Sequence, residues 1–462
     1  MSTPPPLAGG TQGPQELRPL VAAVLDALQA GAAARGGPLP RGGPTAVADH
    51  VRTTAGDLLP PHGAGADTAL RSLVHAVTAG AADPADPLCA AHLHCPPLAL
   101  AAAADLAASA LNPSLDSWDQ APAASALEAL LTTTVATEVH GGGDALVTTG
   151  GTESNQLALL LAREKAAAHG HPLRVLTGAN AHHSLHRAAW LLGLPEPVTV
   201  PAPRGTLDPA ALDETLTHLA DEPGDTLVTA TAGTTDAGLI DPLTDIADVC
   251  ATHRARLHID AAYGGGLLFS DTHRAKLHGL DRADSVTLDL HKLGWQPAAA
   301  GLLTVRDPAD TTALDHRADY LNADDDTEAG LPDLLGRSLR TTRRPDALKI
   351  AVTLKALGRT GLGALVDHVC ARARAFADLV AAHPRFELHA KPAISTVLFR
   401  PTDADDDHIA HVRRQLLTDG TAVLGRAELE GRRWLKATLL NPHTTTDDLT
   451  RLLALVEGTT PR

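Results

Sequence analysis

A lysine stands between two segments that read as buried strands. The octet Leu288-Asp289-Leu290-His291-Lys292-Leu293-Gly294-Trp295 joins the apolar run SVTLDL to AAAGLLTV. An ammonium placed there is costly to bury unless something compensates. From the octet alone two readings stay open: a lysine in a surface turn, or a desolvated amine suited to condensing with a carbonyl. Three other polar signals precede it. In TTGGTESNQLALLLA (148–162) a strand runs into Gly150-Gly151-Thr152 and a helix starts at once. Two glycines permit close backbone approach, and a helix N-terminus with a Thr152 hydroxyl suits a phosphate or a plain capped turn.

The second signal is RLHIDAAYGG (256–265), where Asp260 ends an apolar strand and is followed by two alanines. A carboxylate there either caps a turn or faces a cation, such as a protonated ring nitrogen. The third is NAHHSLHRAAW (180–190). His182 and His186 are spaced i, i+4, as in some zinc sites, but no HExxH pattern or third ligand accompanies them. Stacking on a flat ligand and ordinary solvation are the other options, in a chain with 24 histidines. Taken in order, the four signals specify an anionic phosphate, a flat ring, a protonated ring nitrogen and an aldehyde. Pyridoxal phosphate has all four features. No metal is expected.

The elements that must position these residues follow from periodicity. Between 145 and 305 short apolar runs alternate with helical stretches: ALVTT, RVLTG, TLVTATAG, RLHIDAA, SVTLDL and GLLTV are the predicted strands. Such alternation predicts a doubly wound, mostly parallel sheet, with ligands at the carboxyl ends of its strands. Helices are predicted over 16–33, 46–58, 66–82, 97–111 and 122–139, after a loose Pro/Gly-rich start. A helix over 340–379, strands in ISTVLFRP and RWLKATLLN, and helices in DADDDHIAHVRRQLLTDG and TTTDDLTRLLALVEG make an α+β C-terminal lobe. The expected organisation is an N-terminal helical segment (1–85), a large cofactor-binding domain (86–345) and a small domain (346–462).

The chain has 462 residues, 44% hydrophobic but only 2% aromatic, so its core must be built from Ala, Leu and Val. A formal charge of −16 argues against nucleic acid or an anionic membrane as partner. The four cysteines, Cys89, Cys95, Cys250 and Cys370, have no metal-site spacing, and reduced cytoplasmic thiols are the expectation. No signal peptide is read at the N-terminus, and PLALAAAADLAASAL is read as a helix rather than a membrane span.

The chain resembles the group II pyridoxal-phosphate-dependent decarboxylases, a fold-type I (aspartate-aminotransferase-like) family. The matching stretches are NPSLDSWDQ (112–120), TTGGTESN (148–155), AHHS (181–184), TAGTTDAGLIDPL (231–243), LHIDAAYGG (257–265), ADSVTLDLHK (283–292) and SLRTTRRPDALK (338–349). The resemblance implies that Lys292 is the Schiff-base lysine, Asp260 the partner of the pyridine nitrogen, and His182 the ring-stacking residue that helps direct decarboxylation. It implies that Gly151, Thr152 and His291 hold the phosphate, and that Thr235 and Ala262 lie against the cofactor. Asp289 is a position where some relatives carry Asn, and a carboxylate beside a phosphate needs a proton or a cationic neighbour. The family also implies a homodimer with shared active sites and a mobile lid crossing between subunits.

For the substrate, aromatic relatives line the pocket with aromatic side chains in a segment that here runs Asp86 to Pro96. It offers His92, His94 and Cys95 and no phenyl or indole ring. The lid would include Tyr320 to Gly336, with Asp324, Asp325, Asp326 and Glu328 within five residues. These acids read either as a solvated loop or as a grip for a cationic tail. RTTRRPDALK looks most like diaminobutyrate and siderophore-type lysine decarboxylases. The expected reaction is decarboxylation of a diamino acid (2,4-diaminobutyrate, ornithine or lysine), for siderophore or polyamine biosynthesis, with Asp325 and Asp326 on the distal ammonium. Leu335 falls where aromatic decarboxylases place a proton-donating tyrosine. The alternatives are an aromatic amino acid decarboxylase, an aminotransferase or oxidative deaminase of the same fold, and a catalytically silent homologue.

Overall fold

The computed structural model describes residues 4–316, 318, 321 and 323–460. The N-terminal helices form at Gly13–Arg35, Gly43–Ala55, Ala66–Ala79, Ala99–Leu111 and Pro122–His140. By length and composition Gly13–Arg35 is the one helix among the described residues that is long and apolar enough to cross a membrane. Its small-residue face, Ala23, Ala27 and Gly31, is buried, and a Cβ on Gly31 would lie 2.7 Å from Thr78 Cβ on helix Ala66–Ala79. Its polar residues Glu16, Arg18 and Asp26 are exposed.

Among the described residues twelve strands make two sheets. In chain order they are β1 (Cys89–Ala90), β2 (Asp144–Thr148), β3 (Leu173–Gly178), β4 (Val198–Val200), β5 (Asp225–Thr231) and β6 (Arg256–Ala261). Then come β7 (Ser285–Asp289), β8 (Gly301–Val305), β9 (Phe386–Leu388), β10 (Thr396–Pro401), β11 (Val423–Leu429) and β12 (Arg432–Thr438). The large sheet has the order β2-β8-β7-β6-β5-β3-β4, and β8 alone runs antiparallel to its neighbours. All five residues of β7 are buried, as expected of a strand covered on both faces. Thr231, Asp260 and Thr287 lie in register across β5, β6 and β7, so the carboxyl ends of the three central strands are level. Such a row of strand ends is where ligands bind in open α/β sheets.

The second sheet, β1-β11-β12-β10-β9, belongs to the C-terminal lobe. Its edge strand comes from the N-terminal side, because Cys89 pairs in parallel with Val423. The expected division at 86 therefore leaves residues of the C-terminal sheet in the large domain. The division at 346 is no break in packing either. Helix Ala347–Ala382 puts Ile350, Val366 and Val369 into the large core and Phe376 and Val380 into the small one. That helix begins seven residues later than the expected 340, after Pro345, whose ring disfavours helix in the residue before it. Gly358 interrupts it with φ 60° and ψ −174°. Strands β1, β4, β9 and β11 were not among the expected ones: β1 has two residues, β4 and β9 have three, and β11 carries Arg426 and Glu428 on its exposed face.

Candidate active site

A cleft of about 390 Å³ opens at the carboxyl ends of β5, β6 and β7 and is closed on one side by the C-terminal lobe. One part of its wall is the turn between β2 and helix Gly151–Ala168. Gly150 has φ 145° and ψ −178°, a backbone conformation open essentially to glycine alone. A Cβ there would meet His291 Cε1 at 2.9 Å, and a Cβ on Gly301, opposite, would meet Gly150 Cα at 2.4 Å. The turn is therefore packed backbone to backbone against the start of β8. The first intrahelical bond runs from Ser154 N–H to the Gly150 carbonyl, which leaves the N–H groups before it without partners inside the helix. Glu153 accepts from Thr149 N–H and Oγ1 at 2.6 and 2.7 Å and is paired with Arg340 at 3.2 Å, which pins the turn from outside.

Lys292 lies on a single helical turn, Leu290–Leu293, after β7. Its Nζ is 3.0 Å from Asp289 Oδ2, and His291 Nε2 is 3.5 Å from the same oxygen. Asp289 is buried, and its Oδ1, 3.6 Å from where a Gly150 Cβ would sit, has no hydrogen-bond partner among the described residues. The cationic neighbour of this carboxylate is Lys292, with His291 next to it. Burial holds the His291 imidazole below its usual range, with Asp289 opposing that shift. The segment after the lysine is anchored by Trp295, which is fully buried and donates from Nε1 to the Leu440 carbonyl at 2.8 Å.

Asp260 faces the cleft from the end of β6. Its Oδ1 accepts from Ala262 N–H at 3.0 Å and its Oδ2 from Asn155 Nδ2 at 2.8 Å. His182 lies across the cleft, its Nδ1 2.8 Å from Ser184 Oγ. Burial lowers the His182 imidazole and Asp260 pulls it back, so the ring is on the neutral side of its ordinary value. His186, its i+4 neighbour, pairs instead with Glu196 at 2.8 Å. Among the described residues no group of three or more His, Cys, Asp or Glu is arranged to hold a metal ion.

The cleft brings together Gly151, Thr152, His182, Thr235, Asp260, Ala262, His291 and Lys292, the eight residues expected around a cofactor. The expected substrate residues divide. His92 lines the cleft, with φ 62°. His94 is exposed and lies outside it. Cys95 sits behind the wall, buried in the core, where its thiol donates to the His291 carbonyl at 3.1 Å and burial pushes it up to about 12. Asp325 and Asp326 are exposed on the short helix Asp324–Glu328 and do not line this chain's own cleft. Tyr320, where the expected lid begins, lies outside the described residues. Leu335 is buried on the turn Leu335–Arg337, whose Arg337 grips Asp144 at the start of β2.

Sequence reasoning missed several groups. Asn155 is one helical turn beyond Gly151, a spacing that places both on one side of the helix and could have flagged it. His258, two residues before Asp260, is fully buried behind it. Lys436, from β12, reaches the cleft from the other lobe and donates to the Thr235 carbonyl at 2.8 Å. Burial lowers its ammonium and Asp236 partly restores it. Its sequence separation of 201 from Thr235 left no local signal.

A glycine turn with no room for a Cβ, free helix N–H groups, a carboxylate on a strand end and a reachable lysine amine fit pyridoxal phosphate. Comparisons with known proteins agree. Residues 69–402 match the pyridoxal-dependent decarboxylase conserved domain. The chain is 41% identical over 420 residues to an L-2,4-diaminobutyrate decarboxylase of Rhizobium meliloti (strain 1021), covering 87% of this chain and 84% of that one. It is 30% identical over 374 residues to an acidic amino acid decarboxylase of Homo sapiens, covering 74% and 72%. Among solved structures it matches the glutamate decarboxylase domain of a diaminobutyrate-pyruvate transaminase and L-2,4-diaminobutyrate decarboxylase from Vibrio parahaemolyticus. The TM-score is 0.87 at 33% identity, with 98% and 97% of the two chains covered.

Proposed function

The chain belongs to the pyridoxal-dependent decarboxylase family, and from that premise we propose that its substrate is an L-diamino acid: 2,4-diaminobutyrate, ornithine or lysine. It is a pyridoxal-phosphate-dependent amino acid decarboxylase, releasing carbon dioxide and an amine. The observation that carries the substrate reading is the likeness, over most of both chains, to a relative named as a diaminobutyrate decarboxylase. A diamine product suits siderophore or polyamine biosynthesis. The buried thiols of Cys95, Cys250 and Cys370 and the free Cys89 are in keeping with a cytoplasmic enzyme.

Pyridoxal phosphate, when bound, supplies an aldehyde that condenses with amines and a ring that takes up the electron pair left as carbon dioxide departs. The residue roles are our reading. Lys292 Nζ would reach the aldehyde carbon. Asp260 would face the ring nitrogen and keep a proton on it. His182 would pack on the ring. Gly151 and Thr152 would donate to the phosphate, with His291 beside them, and Thr235 and Ala262 would shape the cofactor's surroundings; all eight line one cleft. His92 and Lys436 line the same cleft and, in this reading, are left to meet the substrate. The active unit in this reading is a homodimer, in which Asp325 and Asp326 reach the partner's cleft and meet the distal ammonium.

A second reading has its own observation. Lys436 is a cation facing the cleft, and a substrate with a distal carboxylate would fit it better than one with a distal ammonium. An amine-product screen over the common amino acids with ornithine, diaminobutyrate and cysteine sulfinate decides between them. Highest kcat/KM on a diamino acid is expected. Preference for aspartate or cysteine sulfinate replaces the diamino reading, and amino transfer to a keto acid without carbon dioxide replaces decarboxylation.

A further inference from the structure

Asn155 makes four hydrogen bonds, which is all its amide can make. Nδ2 donates to Asp260 Oδ2 at 2.8 Å and to Ser184 Oγ at 2.9 Å. Oδ1 accepts from Thr287 Oγ1 at 2.8 Å and from His258 Nε2 at 3.0 Å. Asn155, Ser184, His258 and Thr287 are all fully buried. The orientation of the amide follows from chemistry. An ionised carboxylate only accepts, so Nδ2 must face Asp260 and Oδ1 must face the other side. His258 then carries its proton on Nε2, and its Nδ1 accepts from Ser285 Oγ at 2.8 Å. Burial pushes His258 down to about 4, with Asp260 opposing, in keeping with a neutral ring.

The same logic runs outward through Ser184. Its oxygen accepts from Asn155, so its own proton is directed to His182 Nδ1, 2.8 Å away. The backbone N–H of Ser184, which can only donate, also points at that nitrogen at 3.3 Å. Nδ1 of His182 is therefore an acceptor, and the ring proton sits on Nε2. One buried amide thus touches Asp260 directly and reaches His182 through Ser184, the two groups that the proposed function puts on the cofactor ring.

We propose that Asn155 is a positioning residue that fixes the carboxylate of Asp260 directly and the tautomer of His182 through Ser184. This inference rests on the reading of Asp260 as the ring-nitrogen partner. Asn155→Asp keeps the volume and the acceptor toward Thr287 and His258, and turns the donor toward Asp260 into a second carboxylate oxygen. It should weaken cofactor binding, measured by fluorescence titration, by about tenfold or more, the loss of a charge-assisted hydrogen bond. It should also move the pH dependence of the bound cofactor's visible absorption, and lower kcat with KM little changed. Ser184→Ala cuts only the outer branch: kcat should fall while cofactor affinity stays within about threefold of the parent, below one hydrogen bond's worth. Asp260→Asn is the control. If it alters affinity and spectrum while folded Asn155→Asp leaves both at parental values, the positioning role is overturned. If Asp260→Asn leaves both unchanged, the reading of Asp260 itself fails. Should Asn155→Asp not fold, parental kcat in Ser184→Ala overturns the His182 branch, and parental cofactor affinity in Thr287→Val, which frees one side of the amide, overturns the Asp260 branch.

Discussion

Lys292 is held between an acid and a route to the cleft. Asp289, at 3.0 Å, neutralises its charge on the strand side, and the helical turn Leu290–Leu293 leaves the amine facing the glycine turn. Lys292→Ala should abolish the visible absorption of bound cofactor together with nearly all turnover. Retention of both would remove Lys292 from the chemistry. Lys436 belongs to the same scale but answers a different question. If it meets a substrate carboxylate, Lys436→Met should raise KM by about tenfold to a hundredfold, the worth of a partly dry charged hydrogen bond. The pattern over substrates is the informative part. A loss shared by ornithine, aspartate and norvaline places the lysine near the α-carboxylate, whereas a loss confined to aspartate assigns it the distal group.

At the scale of elements, the β2 turn and the lid make separate demands. The turn works because two backbones touch: Gly150 at φ 145° lies against Gly301 and His291. Gly150→Ala combines a conformation that L-residues rarely adopt with a contact of 2.9 Å. Cofactor affinity in that variant should fall by about tenfold or more, since the strain is of order 1–3 kcal/mol. Equilibrium dialysis gives the number, and unchanged affinity would show that the turn yields. Asp325, Asp326 and Glu328, on the helix Asp324–Glu328, do not line their own chain's cleft, and in the proposed reading Asp325 and Asp326 act across a subunit boundary. Asp325→Asn with Asp326→Asn should narrow the preference for ornithine over norvaline, read as a ratio of kcat/KM. Mixed dimers would report which subunit supplies the acids, and a fully active monomer in sedimentation would refute the shared site.

The whole molecule carries a pH dependence in its buried histidines. Burial pushes both His140 and His258 down to about 4, from an ordinary value of 6.5. Above that ordinary value the folded and unfolded chains are both neutral at these sites. As pH falls, the unfolded chain binds protons that the folded one refuses, so stability declines from about pH 6.5 to about pH 4. Thermal unfolding followed across that window should show a falling Tm. His140→Gln should flatten part of the slope, because it removes one of the two buried titratable rings, at the loss of the His140 bond to Thr304 Oγ1 at 3.0 Å. A Tm constant from about pH 7 to 4 would contradict the burial argument. The lobes respond together in this picture. Helix Ala347–Ala382 packs in both cores, and β1 ties the segment before the cleft to the C-terminal sheet.

Periodicity and turn chemistry carried the elements around the site: the alternation from 145 to 305, the glycine pair before a helix, and polar residues closing apolar strands. These are local signals, set within a few residues by steric and hydrogen-bonding rules, and they led to Lys292, Asp260 and the phosphate turn. Lys436 was not legible, because its partner Thr235 lies 201 residues away and nothing in the local pattern marks it. Cys95 read as a pocket residue because it falls in the 86–96 segment that lines the pocket in relatives, but tertiary packing turned its thiol into the core behind His291. The acids of the lid read as one group with the site, and the fold set them outside this chain's own cleft. The sequence by itself determined which chemistry the chain carries, since that chemistry needs particular residue types at strand ends. Only the tertiary structure decided which side chains share the cleft and how Asn155 orients them, because burial and hydrogen-bond completion are properties of the packed molecule.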